Sequence, residues 1–209
     1  MFKYAMKEIP NDASFELLEK AKQCEKIDDL KELDKPITDY VSSLETIKEK
    51  KFKYDDNGEE YAYDDVLLPD QEYELNGYKY KTDDNARIVE CSGTLKTKMH
   101  EGRKPLNVNI DEIAWGDQKD NDDRGHVIGD QFEGSNTIGN LTAQNKELNR
   151  NDFKYFENEL AKEVNSGKKV KVDISIRYSG DSNRPVAYIY NYEIEGEFIK
   201  KVFKNEVGK

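Results

Sequence analysis

Between Asp122 and Glu163 the chain reads DDRGHVIGDQFEGSNTIGNLTAQNKELNRNDFKYFENELAKE, which gathers histidine, asparagine, arginine, glycine and glutamate more densely than a purely structural loop needs. Such a set suits phosphodiester hydrolysis. That reaction requires a base to deprotonate water, a divalent cation to offset charge on the phosphoryl and leaving oxygens, and cationic donors for the phosphate. His126 is one of 2 histidines in the chain, and imidazole is the side chain whose ordinary pKa best suits proton abstraction near neutral pH. Gly125 beside it permits close backbone approach, and Arg124 offers a bidentate fork for phosphate oxygens. An Arg-Gly-His tripeptide alone is equally compatible with a hydrogen-bonded structural histidine. His100, in KTKMHEGRK, has no partner at a recognisable spacing and reads as structural. On the residues alone, Asn149 reads as a cap near the start of the helix that follows.

The pattern widens downstream. Asp123-Arg124-Gly125-His126, then Asn140, Thr142, Gln144, Leu148-Asn149 and Glu157 eight residues further on, resembles the signature of the DNA/RNA non-specific endonuclease family, whose fold is the ββα-metal or His-Me finger. The resemblance covers roughly Tyr73 to Glu195 and is most specific from Asp123 to Glu157. It implies that His126 is the general base, that Arg124 assists it, and that Asn149 binds Mg²⁺ directly, with Mn²⁺ as a substitute. Glu157 would hold a metal-bound water. Eight residues of α-helix separate two Cα atoms by about 12 Å on similar faces, so such a glutamate reaches the metal through its length or a water. Mg²⁺ tolerates this because it keeps several waters and needs few protein ligands.

More narrowly, GHVIGDQFEGSNTIGNL followed by LNR is similar to toxin nuclease domains at the C-termini of bacterial polymorphic toxins, including those exported by type VII secretion. By that resemblance the partners are DNA and RNA as substrates and an immunity protein that blocks the activity. The chain departs from the pattern twice. Those toxins often carry Asp or Gly where this chain has Arg124, and the broader family can place an arginine where this chain has Ala161. Phosphate neutralisation must then come from elsewhere, with Arg103, Arg150, Arg177 and Arg184 as candidates and Lys146 and Lys154 beside the helix. Each is also compatible with a solvated surface cation. Lys168, Lys169 and Lys171, with Lys200, Lys201 and Lys204, could guide a polyanion without reading sequence.

The formal net charge of -11 argues against a polyanion as ligand, but its distribution does not. Residues 1–75 hold 11 Lys against 21 Asp and Glu, while residues 76–209 hold 22 basic and 23 acidic groups. The surplus acid therefore lies before the motif. It also supports an alternative reading, a catalytically inactive nuclease fold that binds a partner protein through its acidic N-terminal region. Cys24 and Cys91 match no metal spacing or redox pair, and a zinc-structured nuclease would need paired cysteines and a second ligating histidine. No stretch approaches the roughly 20 apolar residues that span a bilayer. MFKYAMKEIPNDAS lacks the apolar run of a signal peptide, which predicts a cytoplasmic protein or one exported by a non-Sec route, with no membrane partner. The oligomeric state has no signature.

The elements that must position this chemistry predict an α+β fold, an antiparallel sheet with a ββα-metal core and an N-terminal helical extension. Over residues 1–50, apolar residues recur at helical spacing, as in Phe15, Leu18 and Ala21, then Ile37, Val41, Leu44 and Ile47. Residues 51–72 turn to Asp, Glu and Tyr, predicting an acidic linker or edge segment. Residues 73–209 form the expected endonuclease domain. Asn76-Gly77 signals a tight hairpin and Asp84-Asn85 a second turn. Phe153, Phe156, Leu160 and Val164 mark one helical face, with Gly167 where a stop belongs. Val170 to Tyr178 and Val186 to Ile194 alternate as strands.

Overall fold

The computed structural model describes residues 52–206 except 100, 101, 103, 104 and 107. The helical extension expected over 1–50, Cys24, His100 and the candidate Arg103 lie outside the described residues. The compact unit begins at Lys51.

Its frame is a six-stranded antiparallel sheet in the order β11-β10-β9-β6-β5-β4. The strands are β4 (Glu72–Leu75), β5 (Tyr78–Thr82), β6 (Ile88–Thr94), β9 (Val170–Arg177), β10 (Ala187–Ile194) and β11 (Glu197–Lys204). Asn76 and Gly77 take φ of 53° and 74° and join β4 to β5, as the Asn-Gly pair predicts. Glu195 and Gly196 make the same kind of turn before β11, with φ of 51° and 92°. The Lys-rich tail is thus a paired strand, with Phe203 buried and lysines facing solvent.

The acidic stretch expected as a linker or edge segment is part of the fold. It carries β1 (Phe52–Tyr54), β2 (Glu60–Tyr63) and β3 (Val66–Leu67), which pair as a small sheet. Tyr61, Ala62 and Leu67 are buried, while Asp56, Asp64, Asp65 and Asp70 sit at turns. Asp55 accepts the backbone N–H groups of Asn57, Glu59 and Glu74 at 2.8–2.9 Å, tying this sheet to β4.

On one face of the large sheet lie a short helix α1 (Ile110–Ala114), a two-stranded pair β7 (Asp122–His126) and β8 (Leu141–Asn145), and helix α2 (Lys154–Asn165). A π-helical turn, Leu148–Phe153, runs straight into α2. Phe153 and Phe156 pack on Tyr190 and Phe203, with ring centroids 4.6–5.7 Å apart. Gly167, at φ 90°, ends the helix where the sequence predicts a stop.

Tyrosines explain how the sheet controls the connection between β7 and β8. Tyr73 donates to Gly139 O (2.8 Å), Tyr78 to Phe132 O (2.6 Å) and Tyr190 to Val127 O (3.0 Å), while Tyr80 donates to Asn140 Oδ1 (2.9 Å). Burial raises the pKa of all four, so the hydroxyls stay protonated donors. Asn140 itself is fully used, accepting Ile128 N–H and donating to Ile128 O and Ser135 O. The connection between the paired strands is thereby pinned from below at several points, and the residues it carries are held on a rigid base.

Candidate active site

A cleft of about 830 Å³ opens between β7, the loop after it, the π turn and α2. His126 ends β7 and lines the cleft, with 9% of its surface exposed. Two neighbours fix it. The fully buried Gln144 donates from Nε2 to His126 O at 3.0 Å, and a Cβ on Gly125 would fall 2.0 Å from Gln144 Cδ, so only glycine lets that amide pass. Asn136 places Oδ1 2.6 Å from His126 Nε2. An amide oxygen only accepts, so Nε2 carries a proton in this contact, and in the neutral ring Nδ1 is then the acceptor, the tautomer a general base needs.

Across the cleft, Asn149 donates from Nδ2 to Asp123 Oδ2 at 3.1 Å. That bond turns its Oδ1 away from Asp123. The same carboxylate takes the fork of Arg150, Nε at 2.7 Å and Nη2 at 2.8 Å. These contacts, the Arg150 guanidinium first, hold the Asp123 carboxyl below its ordinary pKa.

Glu157 sits on the cleft side of α2, where Gln131 Nε2 donates to its Oε2 at 3.1 Å. Its carboxylate lies so close to Gly129 that a Cβ there would come within 2.6 Å of Oε1. In uninterrupted α-helix, eight residues leave Glu157 about 80° around the axis from Asn149. The π turn winds less per residue, returning the two side chains closer to one face.

The cleft therefore brings together His126, Arg124, Glu157, Asn149 and Arg150 from the sequence-predicted set. Arg124 is exposed there but gives Nη1 to Leu106 O (3.2 Å) and Val108 O (2.9 Å), tying the segment before α1 to β7. Arg184 does not reach the cleft, which corrects the expectation that it contacts substrate. It is 6% exposed, forks onto the buried Asp122 at 2.6 and 2.8 Å, and gives Nη1 to Asn205 O, so the guanidinium is buried in the fold and does not line the cleft. Arg177 is exposed at the end of β9 and does not line the cleft. Sequence reasoning missed Asn136, Gln131 and the carboxylate of Asp123. The only signal available was their place inside the same polar run.

The donor set fits a hard divalent ion. Asn149 Oδ1 and the Glu157 carboxylate are oxygen donors on one face, and among the described residues no group of three or more His, Cys, Asp or Glu converges. So sparse a set suits Mg²⁺, which keeps its waters, and not a zinc cage.

The sequence profile described as DNA/RNA non-specific endonuclease matches residues 69–196. The chain belongs to the DNA/RNA non-specific endonuclease family. Family members are metal-dependent nucleic-acid hydrolases, and the residues matched contain the whole of the cleft's β7, β8 and α2. A curated relative, the type VII secretion system protein EssD of Staphylococcus aureus strain USA300, is 37% identical over 129 residues, 58% of this chain. The match spans only 20% of EssD's own length. Among solved structures, NucA from Streptococcus agalactiae with magnesium ion bound superposes with a TM-score of 0.50 at 16% identity, over 83% of this chain and 89% of that one. That likeness shows the mixed fold with antiparallel sheets. Among the described residues, no helix is long and apolar enough to cross a membrane.

Proposed function

We propose that this chain is a metal-dependent, non-specific endonuclease that hydrolyses phosphodiester bonds of DNA and RNA, with Mg²⁺ as its cofactor and Mn²⁺ able to replace it. The observation that carries the reading is the Nε2···Oδ1 contact of 2.6 Å between His126 and Asn136, on the same cleft as Asn149 and Glu157. His126 Nδ1 accepts a proton from water as that water attacks phosphorus in line, and the Asn136 amide oxygen stabilises the imidazolium through Nε2–H. A divalent cation on Asn149 Oδ1 would supply positive charge for the phosphoryl and leaving oxygens. Glu157, held by Gln131, orients water on the cation's side. The uncommitted N–H groups of Arg124 neutralise charge on the phosphate, and Arg150 serves substrate by exchanging Asp123 for a phosphate oxygen.

The likeness to a type VII secretion system protein supports export by a non-Sec route, and the role proposed with it is that of an antibacterial toxin domain with an immunity protein as partner. Residues 73–209 would hold the catalytic machinery, and 1–50 a helical extension. The purified protein is expected to degrade supercoiled plasmid and RNA with Mg²⁺ or Mn²⁺ and to stop on addition of EDTA. Both nucleic acids left intact with either metal would refute an enzymatic role.

A further inference from the structure

Among the described residues, three cations line the cleft: Arg124, Arg150 and Lys154. Arg150 is paired with Asp123, and Arg124 ties Nη1 to the Leu106 and Val108 carbonyls, which leaves its other N–H groups for the scissile phosphate. A fourth cation nearby, Lys98, is bound to Asp130 at 2.6 Å. Lys154 is exposed, and among the described residues it makes no hydrogen bond or ion pair. It begins α2 one turn before Glu157 and four residues before Asn158, so the three side chains share the face that borders the cleft.

We propose that Lys154 binds the substrate phosphate next to the scissile one, and so adds to the attraction for the polyanion that Arg124 supplies at the scissile phosphate. The inference rests on the nuclease reading above. An ammonium on a flexible four-carbon stem is a hydrated point charge that meets a phosphate oxygen without demanding a fixed geometry or a particular base. It stands a helical turn, about 4.5 Å of rise, from Glu157, the residue that orients water on the cation's side, and so is offset along α2 from the reacting centre. A contact with a phosphate that does not react is equally strong in ground and transition states. It therefore acts on KM and leaves kcat alone.

Steady-state cleavage of a duplex oligonucleotide with Mg²⁺, between about 50 and 200 mM salt, tests this with Lys154→Ala, Lys154→Arg and Lys79→Ala. Lys79 is exposed on β5 away from the cleft and controls for net charge. The alanine variant at 154 should raise KM up to about fivefold at low salt. Its kcat should be retained, and its plot of log KM against log salt should be shallower by about 1. Lys154→Arg should restore both quantities, and Lys79→Ala should leave the slope unchanged. Equal slopes for the two alanine variants, or a fall in kcat at constant KM, would overturn the proposal. If the parent shows no cleavage, the nuclease reading fails on its own. In that event, fluorescence anisotropy of the same oligonucleotide in EDTA gives the slope comparison without turnover, and again equal slopes refute a phosphate contact at Lys154.

Discussion

Replacing Gly129 by alanine puts a methyl group where the Glu157 carboxylate now lies. The added Cβ would stand 2.6 Å from Oε1 and 2.8 Å from Cδ and Oε2. Those separations are roughly 0.7–1 Å inside ordinary contact, so the carboxylate must retreat by about that much. Glu157 is a flexible side chain with room on the cleft side, and the backbone at 129, with φ −61° and ψ 150°, accepts alanine without strain. Loss of glycine's freedom in the unfolded chain favours the variant by roughly 0.4–1 kcal/mol. The melting temperature should therefore hold or rise slightly. Activity should not. The 3.1 Å bond from Gln131 stretches beyond hydrogen-bonding range, and misplacing a group that orients a metal-bound water costs about 10- to 100-fold. The assay is kcat with Mg²⁺ beside a thermal melt of the same preparation. Gly129→Ala with parental kcat would refute the assignment of Glu157, and a collapsed melt would refute the claim that the carboxylate can move aside.

Three further outcomes follow from the same contacts. Arg184→Ala leaves the buried Asp122 carboxylate with no cation and only the Lys119 N–H as partner, and should lower unfolding free energy by about 3–5 kcal/mol in urea, since one half of a buried pair is removed. Asn136→Ala should lower kcat about 10- to 100-fold with little change in KM, read by steady-state kinetics, because it releases the ring that it orients. For Asp55, burial pushes the carboxyl up, but the N–H groups of Glu74, Glu59 and Asn57 outweigh it and the pKa is lowered. A carboxylate depressed on folding stabilises the protein above its unfolded pKa, near 4, and that contribution drains away as pH falls through the folded value. Urea midpoints of the parent and Asp55→Asn should thus differ at neutral pH and converge below about pH 4; a gap that persists in acid would contradict the assignment.

Elements with their own local period were legible in the residues. The Asn76-Gly77 hairpin, the apolar face of α2 and the alternation of β9 and β10 all specify themselves over a few turns or pairs. The strands β1 to β3 did not, since 2 to 4 residues in an acidic setting carry no readable period, and Tyr61 of β2 is buried by stacking on Tyr73 of another strand. The tail strand β11 was hidden for a related reason, its lysines falling on both faces of an edge. At the site, the cleft gathers His126, Asn149 and Glu157, which the resemblance to the family's motif had singled out together. Asn136 and Gln131 were not among them, because each acts through a contact made only when the loop after β7 folds over the tyrosine hydroxyls. Arg184 shows the opposite failure: a guanidinium suits a phosphate or a buried carboxylate equally well, and only burial beside Asp122 decides.

The central claim is that His126 is the base of a metal-dependent phosphodiesterase. Digestion of supercoiled DNA with Mg²⁺ by the parent and by His126→Ala, each verified as folded by its melt, tests it most directly. The account predicts nicking and linearisation by the parent and intact plasmid with the variant over the same time. Equal rates of degradation by the two proteins would contradict it.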